Sequence, residues 1–526
     1  MNDKSRKALI AAGAVLLYLL LIYLLQLVEK GAPDATITSI PTAIWYSLTT
    51  LTTVGYGDTY PVTAAGRVIG AVFQLMSLGL LVFLVGMIVS MMRGKFWLQH
   101  LRSLRRRPWY VFTEDNPSAR ALAENLRAEQ PQAVLLFSAP GTEAPASFGS
   151  SESGKLTLSL PMSPRELVSF HKERGDTTVV CLSDDPRKND MLAEELKDLP
   201  CSICCRTDHE PEQIPENLTL FDEESCMARR YWQQYPVLTV TEKIILIGSG
   251  SAAEALLLQA LQNNVVDAYS RMSYVVFGDY DNFRRNHPYL DQVVTVGSKD
   301  DTFDSLHFSK QPWNSSRELL AAADRIIVCC GTEQETTDIT AQLLRHFPLK
   351  GTVYARLSAP FAGAVVFGNL KETYTPELVL RTQLDATARK LHKMYCDSTG
   401  TGDPWGKLSS FTRRSNLASA DHLTVKIRYL LGPEADGTLS PEQCGKAAAA
   451  FDALEEPLRD LCRRMEHERW TRFHLLNNWQ YDAVRDNKKR HHPLLVPFDV
   501  LSPEDQAKDD YAWKLLKELA GKDADQ

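Results

Sequence analysis

Residues 52–57 read TTVGYG, set between a short apolar stretch and a longer one. Two glycines one residue apart describe either a solvent-exposed turn or a backbone whose carbonyls are held in an unusual order. The flanks decide. Ala8–Val28 is an uncharged run of 21 residues and Val68–Met92 one of 25, and a helix of about 20 residues crosses a hydrocarbon core. Lys4, Arg6 and Lys7 before the first run suit a signal peptide, but the run is long for one and no small-residue cleavage pattern follows. Between the runs, Ile40–Leu51 (IPTAIWYSLTTL) has the composition of a helix with Pro41 near its start. It is too short to span a bilayer. It must dip in and return, which is tolerated where protein or a water-filled cavity surrounds the backbone.

Basic residues orient the two runs. Arg93, Lys95, Arg102, Arg105, Arg106 and Arg107 follow the second run without an acidic residue among them, and the N-terminus is also basic. Both ends are expected in the cytoplasm of a bacterial cell with the protein in the inner membrane, and residues 29–66 outside. The net charge of −7 gives no support for nucleic-acid binding, and the local arginines suit a membrane flank or acidic lipid headgroups. All ten cysteines fall outside the two runs, where disulfides are not expected. CSICC at 201–205 holds one CxxC without a second pair at zinc spacing, so it reads as a buried strand.

A dehydrated K⁺ ion needs a cage of oxygens, and consecutive backbone carbonyls supply it only when all point to one axis. Gly55 and Gly57 permit the dihedrals that this requires. Thr53 can add its hydroxyl, while Val54 and Tyr56 can turn away and pack on the short helix, with Trp45 and Tyr46 as expected partners. One such loop is a quarter of a cage, so four chains are needed.

This region resembles the two-span potassium channels. The resemblance implies an outer helix at 8–28, a pore helix at 40–51, a K⁺ filter at Thr53, Val54, Gly55, Tyr56 and Gly57, and an inner helix at 68–92. Asp58 matches the acid found just outside such filters. Gly79 and Gly86 are both candidates for the hinge of the inner helix. No arginine-rich sensor helix precedes the pore, so charge movement in the membrane field is not expected to gate it.

From Trp109 the chain alternates β-branched runs with helical stretches, the rhythm of a parallel sheet covered by helices. The first turn, TEDNPSA, lacks paired glycines, which points to a degenerate or structural domain. The rhythm restarts at Lys243 with KIILIGSGSAAEALLLQAL. Here Gly248, Gly250 and Ala253 have the G-x-G-x-x-A spacing of a strand–turn–helix that receives a pyrophosphate. Asp279 and Asp281 after the next strand are candidates for a ribose hydroxyl, although NNVVDAYSRM lengthens the connection. NAD or another adenine nucleotide is the candidate ligand, and a ligand-free scaffold is the alternative. Two Rossmann-like units after a two-span pore resemble the RCK or TrkA-N regulators of potassium conductance, which implies a ring of paired units from four subunits that pulls on the inner helices.

Residues from about 380 onward read as helices. LEEPLRDLCRRMEHERWTRFHLLNNWQYD places Leu454, Leu458, Leu461 and Met465 on one helical face. HERW, WQY and KKRHHPLLVPFDVL resemble the RyR domain, a repeat of ryanodine receptors also found in bacterial proteins beside Rossmann domains. Bacterial copies often read GW-x-YG where this chain has Asn478 to Asp482. Trp470, Trp479 and Tyr481 read most simply as core. The functional alternative is a stacking pocket of Trp479 and Tyr481, with Arg469, Lys488, Lys489, Arg490 and His491 holding a phosphate. His467 and Glu468 lack the HExxH pattern and read as packed or paired.

Together these readings describe a multidomain membrane protein. It has an all-α two-span pore module (1–107), two α/β Rossmann-like domains (108–240 and 241–380) and a mainly α-helical RyR-like domain (381–526). The expected function is that of a homotetrameric K⁺ channel, not an enzyme, gated by a soluble nucleotide or nucleotide-derived signal. The alternative is a membrane-anchored nucleotide-binding or nucleotide-processing enzyme, which would turn over a nucleotide without K⁺ flux. No nucleophile–base pair stands out to support it.

Overall fold

The computed structural model describes residues 17–76, 79, 106–140, 146–147, 157–171, 176–207, 209, 214–296, 304–380 and 382–521. The chain divides into two units, residues 1–104 and 105–526. Among the described residues no helix is long and apolar enough to cross a membrane. Both apolar runs extend beyond that set, as do Gly86 and residues 80–92 of the expected inner helix.

In the first unit, helices at 17–29 and 64–76 flank the helix Ile40–Leu51. That short helix starts where Ser39 and Thr42 cap each other, the hydroxyl of each reaching the backbone N–H of the other. Ile22, Leu25, Ile37, Ala43, Tyr46 and Phe73 form the core between the three. Tyr46 therefore faces the third helix, not the glycine loop as the sequence suggested. A Cβ at Gly70 would lie 2.5 Å from the Tyr46 hydroxyl, so only glycine lets the two helices approach this closely.

The second unit contains two sheets built alike. The first has strands β1 (Trp109–Phe112), β2 (Val134–Ser138), β3 (Ala146–Ser147), β4 (Thr157–Leu160), β5 (Thr177–Cys181), β6 (Ser202–Arg206) and β7 (Leu218–Phe221), in the order β3-β4-β2-β1-β5-β6-β7. The second has β8 (Lys243–Ile247), β9 (Ser273–Phe277), β10 (Thr295–Val296), β11 (Ser305–Ser309), β12 (Arg325–Val328), β13 (Thr352–Arg356) and β14 (Val365–Phe367), in the order β10-β11-β9-β8-β12-β13-β14. All described pairings are parallel except that of β3 with β4. Strands buried on both faces are why the sequence shows continuous apolar runs here. The strand order reverses between β1 and β5, and again between β8 and β12, and ligands of such sheets bind at these switch points.

The chain then doubles back. Residues 370–380, which follow the second sheet, cover the first: Tyr374, Leu378 and Val379 lie in its core, and Asn125 donates to the carbonyls of Lys371 and Tyr374. The stretch FTRRSNLASADHLTVKIRYLLG forms two helices, Ser410–Asp421 and Leu423–Leu431, broken at buried His422.

Candidate functional site

In the first unit, Ile40–Leu51 ends by feeding its last carbonyls to the loop that follows. Thr49 O accepts from the N–H groups of Val54 (2.9 Å) and Gly55 (3.1 Å), and Thr50 O accepts from Thr53 (3.1 Å). The loop alternates in hand. Thr53, Gly55 and Gly57 have φ of 59°, 54° and 72°, while Val54 and Tyr56 between them do not enter that region. Alternating hand turns successive carbonyls toward one side of the strand, the arrangement that an oxygen cage requires. Thr53 is β-branched and holds this conformation at a cost, so the surrounding hydrogen bonds must impose it. The Tyr56 ring stacks on Trp45, with centroids 5.8 Å apart and planes within 2°, and the Trp45 indole N–H donates to Asp58 at 2.8 Å. These contacts splint the loop from Tyr56 to Asp58. Val54 and Tyr56 nonetheless remain exposed, at 53% and 68%. Gly79 lies in helical backbone, with no described residue within 4 Å of its Cβ position.

In the second unit, β8 ends at the turn Gly248–Ser251 and continues into the helix Ser251–Asn263. A Cβ at Gly248 (φ 135°) would fall 1.8 Å from the Cys329 carbonyl oxygen, so β8 and β12 can close only over glycine. At Gly250 (φ 94°) nothing lies within 4 Å of the Cβ position. Gly250 is also the N-cap and supplies no side chain, which leaves the first N–H groups of a 13-residue helix open. Ala253 is fully buried and lets the helix sit close to the sheet.

Asp279 follows β9 and Gly278, at the carboxyl edge of the sheet beside this turn. The long connection around NNVVDAYSRM does not displace it, because the extra residues lie between the helix end and the start of β9. Burial and then the Asp279 charge push the Glu254 carboxyl above its usual range. Asp281 instead starts a six-residue helix and lies exposed within 4.0 Å of Arg284. Sequence reading missed two groups here. Ser251 donates to Glu224 at 3.2 Å, and Arg356 at the end of β13 acts on the same Cys329 that backs Gly248. Their only sequence signal is position, just past a strand or at its end.

The first sheet's equivalent turn is filled by its own side chain. Asn116 caps the helix Pro117–Glu129 through Ala119 N–H (2.9 Å) and donates to Leu182 O beyond β5 (2.6 Å). An amide thus occupies the place where the second turn is open.

The C-terminal candidates are not gathered into one pocket. Arg469 is buried and grips Glu466 with two bonds of 3.0 and 2.7 Å, so it does not join the loop at 488–491. Trp479 is buried and stacked on Phe411 at 4.7 Å, whereas Tyr481 is 58% exposed, contrary to a core role. Lys488 and Lys489 are exposed, Arg490 donates to Asn477 O (2.9 Å), and His491 faces Asp482 at 3.2 Å. Asn478 has φ 66°, in the left-handed region, and asparagine is among the few residues besides glycine that adopt it readily. His467 is packed, facing Val496 O at 2.8 Å and Asp509 at 3.5 Å.

Met465 of the expected face is fully buried with Cys462, Phe451 and Trp513, and Leu454 packs against them, but the buried side of Glu456–Leu476 also carries charge that the leucine pattern did not show. Leu454 precedes the helix and Leu458 is 48% exposed, while Glu466, Arg469 and Arg472 are buried. Lys426 donates to Glu466 at 2.6 Å and to His422 Nδ1 at 2.9 Å, so neutral His422 donates through Nε2 to Val265 O. Burial and the Lys426 charge hold His422 well below its ordinary range. Arg472 reaches Asp304 at 2.7 Å, and Asp421 faces Arg229 at 2.8 Å. These pairs fasten the C-terminal helices to the Rossmann-like sheets.

Burial also pushes His474 down to about 3 and His492 to about 4. Such groups stabilise the fold above their unfolded value near 6.5, and that contribution is lost as pH falls toward the folded values. The expected result is that His474→Gln flattens the acid limb of the stability profile. Between pH 6.5 and 4 it should lose roughly 3 kcal/mol less than the wild type, measured by denaturant titration at each pH.

Residues 9–94 match the family model described as Ion channel (Ion_trans_2), and residues 449–521 match the RyR domain. The A-type voltage-gated potassium channel KCND3 of Rattus norvegicus and that of Oryctolagus cuniculus are each 38% identical over 79 residues. That stretch is 15% of this chain and 12% of those relatives. Among solved structures, GsuK bound to ADP is 13% identical with a TM-score of 0.33, covering 71% of this chain and 99% of the other. The GsuK channel bound to NAD is 12% identical with a TM-score of 0.27, covering 72% and 85%. Scores this low do not establish a common arrangement of the whole chain. The polypeptide therefore joins an ion-channel domain similar to part of the potassium channels, two Rossmann-like domains and a C-terminal RyR domain.

Proposed function

We propose that this chain forms a K⁺-selective pore in a membrane, as a homotetramer, and that an adenine nucleotide or dinucleotide bound at the second glycine turn controls it. The alternating backbone hand at Thr53, Gly55 and Gly57, braced by Trp45, Tyr56 and Asp58, carries the pore part of the reading. A single loop of this form supplies one side of a cage, and four supply the dehydrated ion with its oxygens. The apolar face that Ile44 and Leu48 leave exposed on the short helix suits burial against neighbouring copies.

The open helix end at Gly250 supports the ligand part. Its N–H groups and dipole favour a phosphate, Asp279 suits a ribose diol, and Arg356 adds positive charge beside the turn. For such a ligand to act on the pore it must bind one pore state more tightly than the other.

Liposomes containing the full-length protein test both parts. Addition of AMP, ADP, ATP or NAD is expected to change K⁺ flux by at least about fivefold for one of them. Gly250→Ala, which puts a Cβ where the phosphate would lie, is expected to remove most of that change. Flux that is the same across the nucleotide panel overturns the ligand part, and absence of K⁺ flux overturns the pore.

A further inference from the structure

A second cavity lies away from the glycine turn, where three parts of the 105–526 unit meet. It measures about 390 Å³, within the usual range of small-molecule sites, about 300–1,000 Å³. One wall is the far half of the helix Ser251–Asn263, from Ala255 to Asn263; the segment after β7 and the helices around Leu417 and Phe473 complete it. Because Ala255 begins this wall, the cavity runs along the helix flank and leaves the open N-terminus at Gly250 to the other site.

Two consecutive amides line this cavity. Asn263 is only 7% exposed, yet its side chain makes no hydrogen bond among the described residues. Gln262 beside it is half-buried and equally without a side-chain partner among those residues. The polar atoms of both amides remain open to water in the cavity, so each can exchange a solvent hydrogen bond for one to a molecule bound there. Asn263 also borders a smaller cavity of about 190 Å³ on its other side.

The charges around the cavity are already spoken for. Arg229 faces Asp421, which also accepts from Gln233 (3.0 Å) and Gln259 (3.3 Å). Asp222 caps the following helix through Ser225 N–H at 2.7 Å. Burial lowers His287, whose ring faces Leu476 O at 2.7 Å. Leu258, Leu384, Leu417 and Phe473 supply apolar walls. A flat, uncharged molecule with donors and acceptors along one edge is complementary to such a set, since an amide side chain pairs bidentately with the edge of a base.

We propose that this junction binds a nucleobase-bearing molecule through Gln262 and Asn263, as a site separate from the glycine turn. The test uses nucleosides, which carry no phosphate for the turn to hold. Adenosine, guanosine, cytidine and uridine are titrated calorimetrically into the full-length protein, its Gln262→Leu and Asn263→Leu variants and Gly250→Ala. Saturable binding of at least one nucleoside is expected, weakened about tenfold or more by Gln262→Leu, which alters a half-buried side chain with no hydrogen bond among the described residues. Asn263→Leu is expected to match it if its thermal midpoint stays that of the wild type. Absence of nucleoside binding at millimolar concentration overturns the proposal. So does binding that survives Gln262→Leu but is lost in Gly250→Ala, because the nucleoside then belongs to the turn.

Discussion

Gly55→Ala is expected to reduce K⁺ flux by about 100-fold or more while leaving the protein assembled. Gly55 sits at φ 54° between Val54 and Tyr56, and an alanine pays about 1–2 kcal/mol in that region. In the proposed tetramer the cost reaches several kcal/mol around one axis. The cheapest relief is a change of φ at residue 55, which swings a carbonyl away from the cage. Loss of one oxygen layer raises the barrier to a dehydrated ion, and about 2.7 kcal/mol of barrier is already a hundredfold in rate. Space does not enter within the chain, since no described residue lies within 4 Å of the Cβ position. Flux measured in liposomes, with assembly checked by native electrophoresis, separates conduction from folding. Conduction within a factor of about two of the wild type would show that the left-handed position is not needed.

The second large effect is expected at Glu466. Its carboxylate receives Lys426 at 2.6 Å and two bonds from Arg469, and the side chains of these partners are 0% and 3% exposed. Burial works against the charged carboxylate, but the two cations prevail and hold it well below the usual carboxylate range. Glu466→Leu leaves both cations buried, with neutral His422 as the acceptor left to Lys426. Removing one member of such a set costs about 3–5 kcal/mol. The expected outcome is a matching loss in unfolding free energy, read as a lower denaturant midpoint with Trp fluorescence. Replacing all three by Lys426→Met, Glu466→Leu and Arg469→Met should recover much of that loss, because no uncompensated charge then remains. A Glu466→Leu protein as stable as the wild type would mean that water reaches this network.

What sequence could and could not show follows from how each feature is encoded. The short helix and the glycine loop are local: Ser39, Pro41 and Thr42 start the helix, and Gly55 and Gly57 mark the backbone directly. The strands were legible because parallel strands buried on two faces leave continuous apolar runs. The glycine turn was legible for the same local reason, and the doubt over Asp279 arose from counting residues without knowing where the insertion lies.

The rest depends on contacts distant in sequence. Leucine spacing identified the helix at 456–476 and placed Met465 in the core, but it gave no sign that Glu466, Arg469 and Arg472 are buried too, neutralised in ion pairs with Lys426 and Asp304 among others. The same pairing removed Arg469 from the phosphate pocket expected for it. Residues 370–380 carry no sign that they return to cover the first sheet. Asn478 holds a left-handed turn that asparagine can adopt, which is invisible to a pattern that looks for glycine. Gln262 and Asn263 carry no sign in the sequence that they line a cavity.

The most direct measurement is the reversal potential of currents through the purified full-length protein in a planar bilayer, with K⁺ on one side and Na⁺ on the other. The account predicts a reversal that follows the K⁺ gradient, with Na⁺ carrying no appreciable current, and loss of that current in Gly55→Ala. A protein that gives no current, or one whose reversal tracks both cations alike, would contradict it.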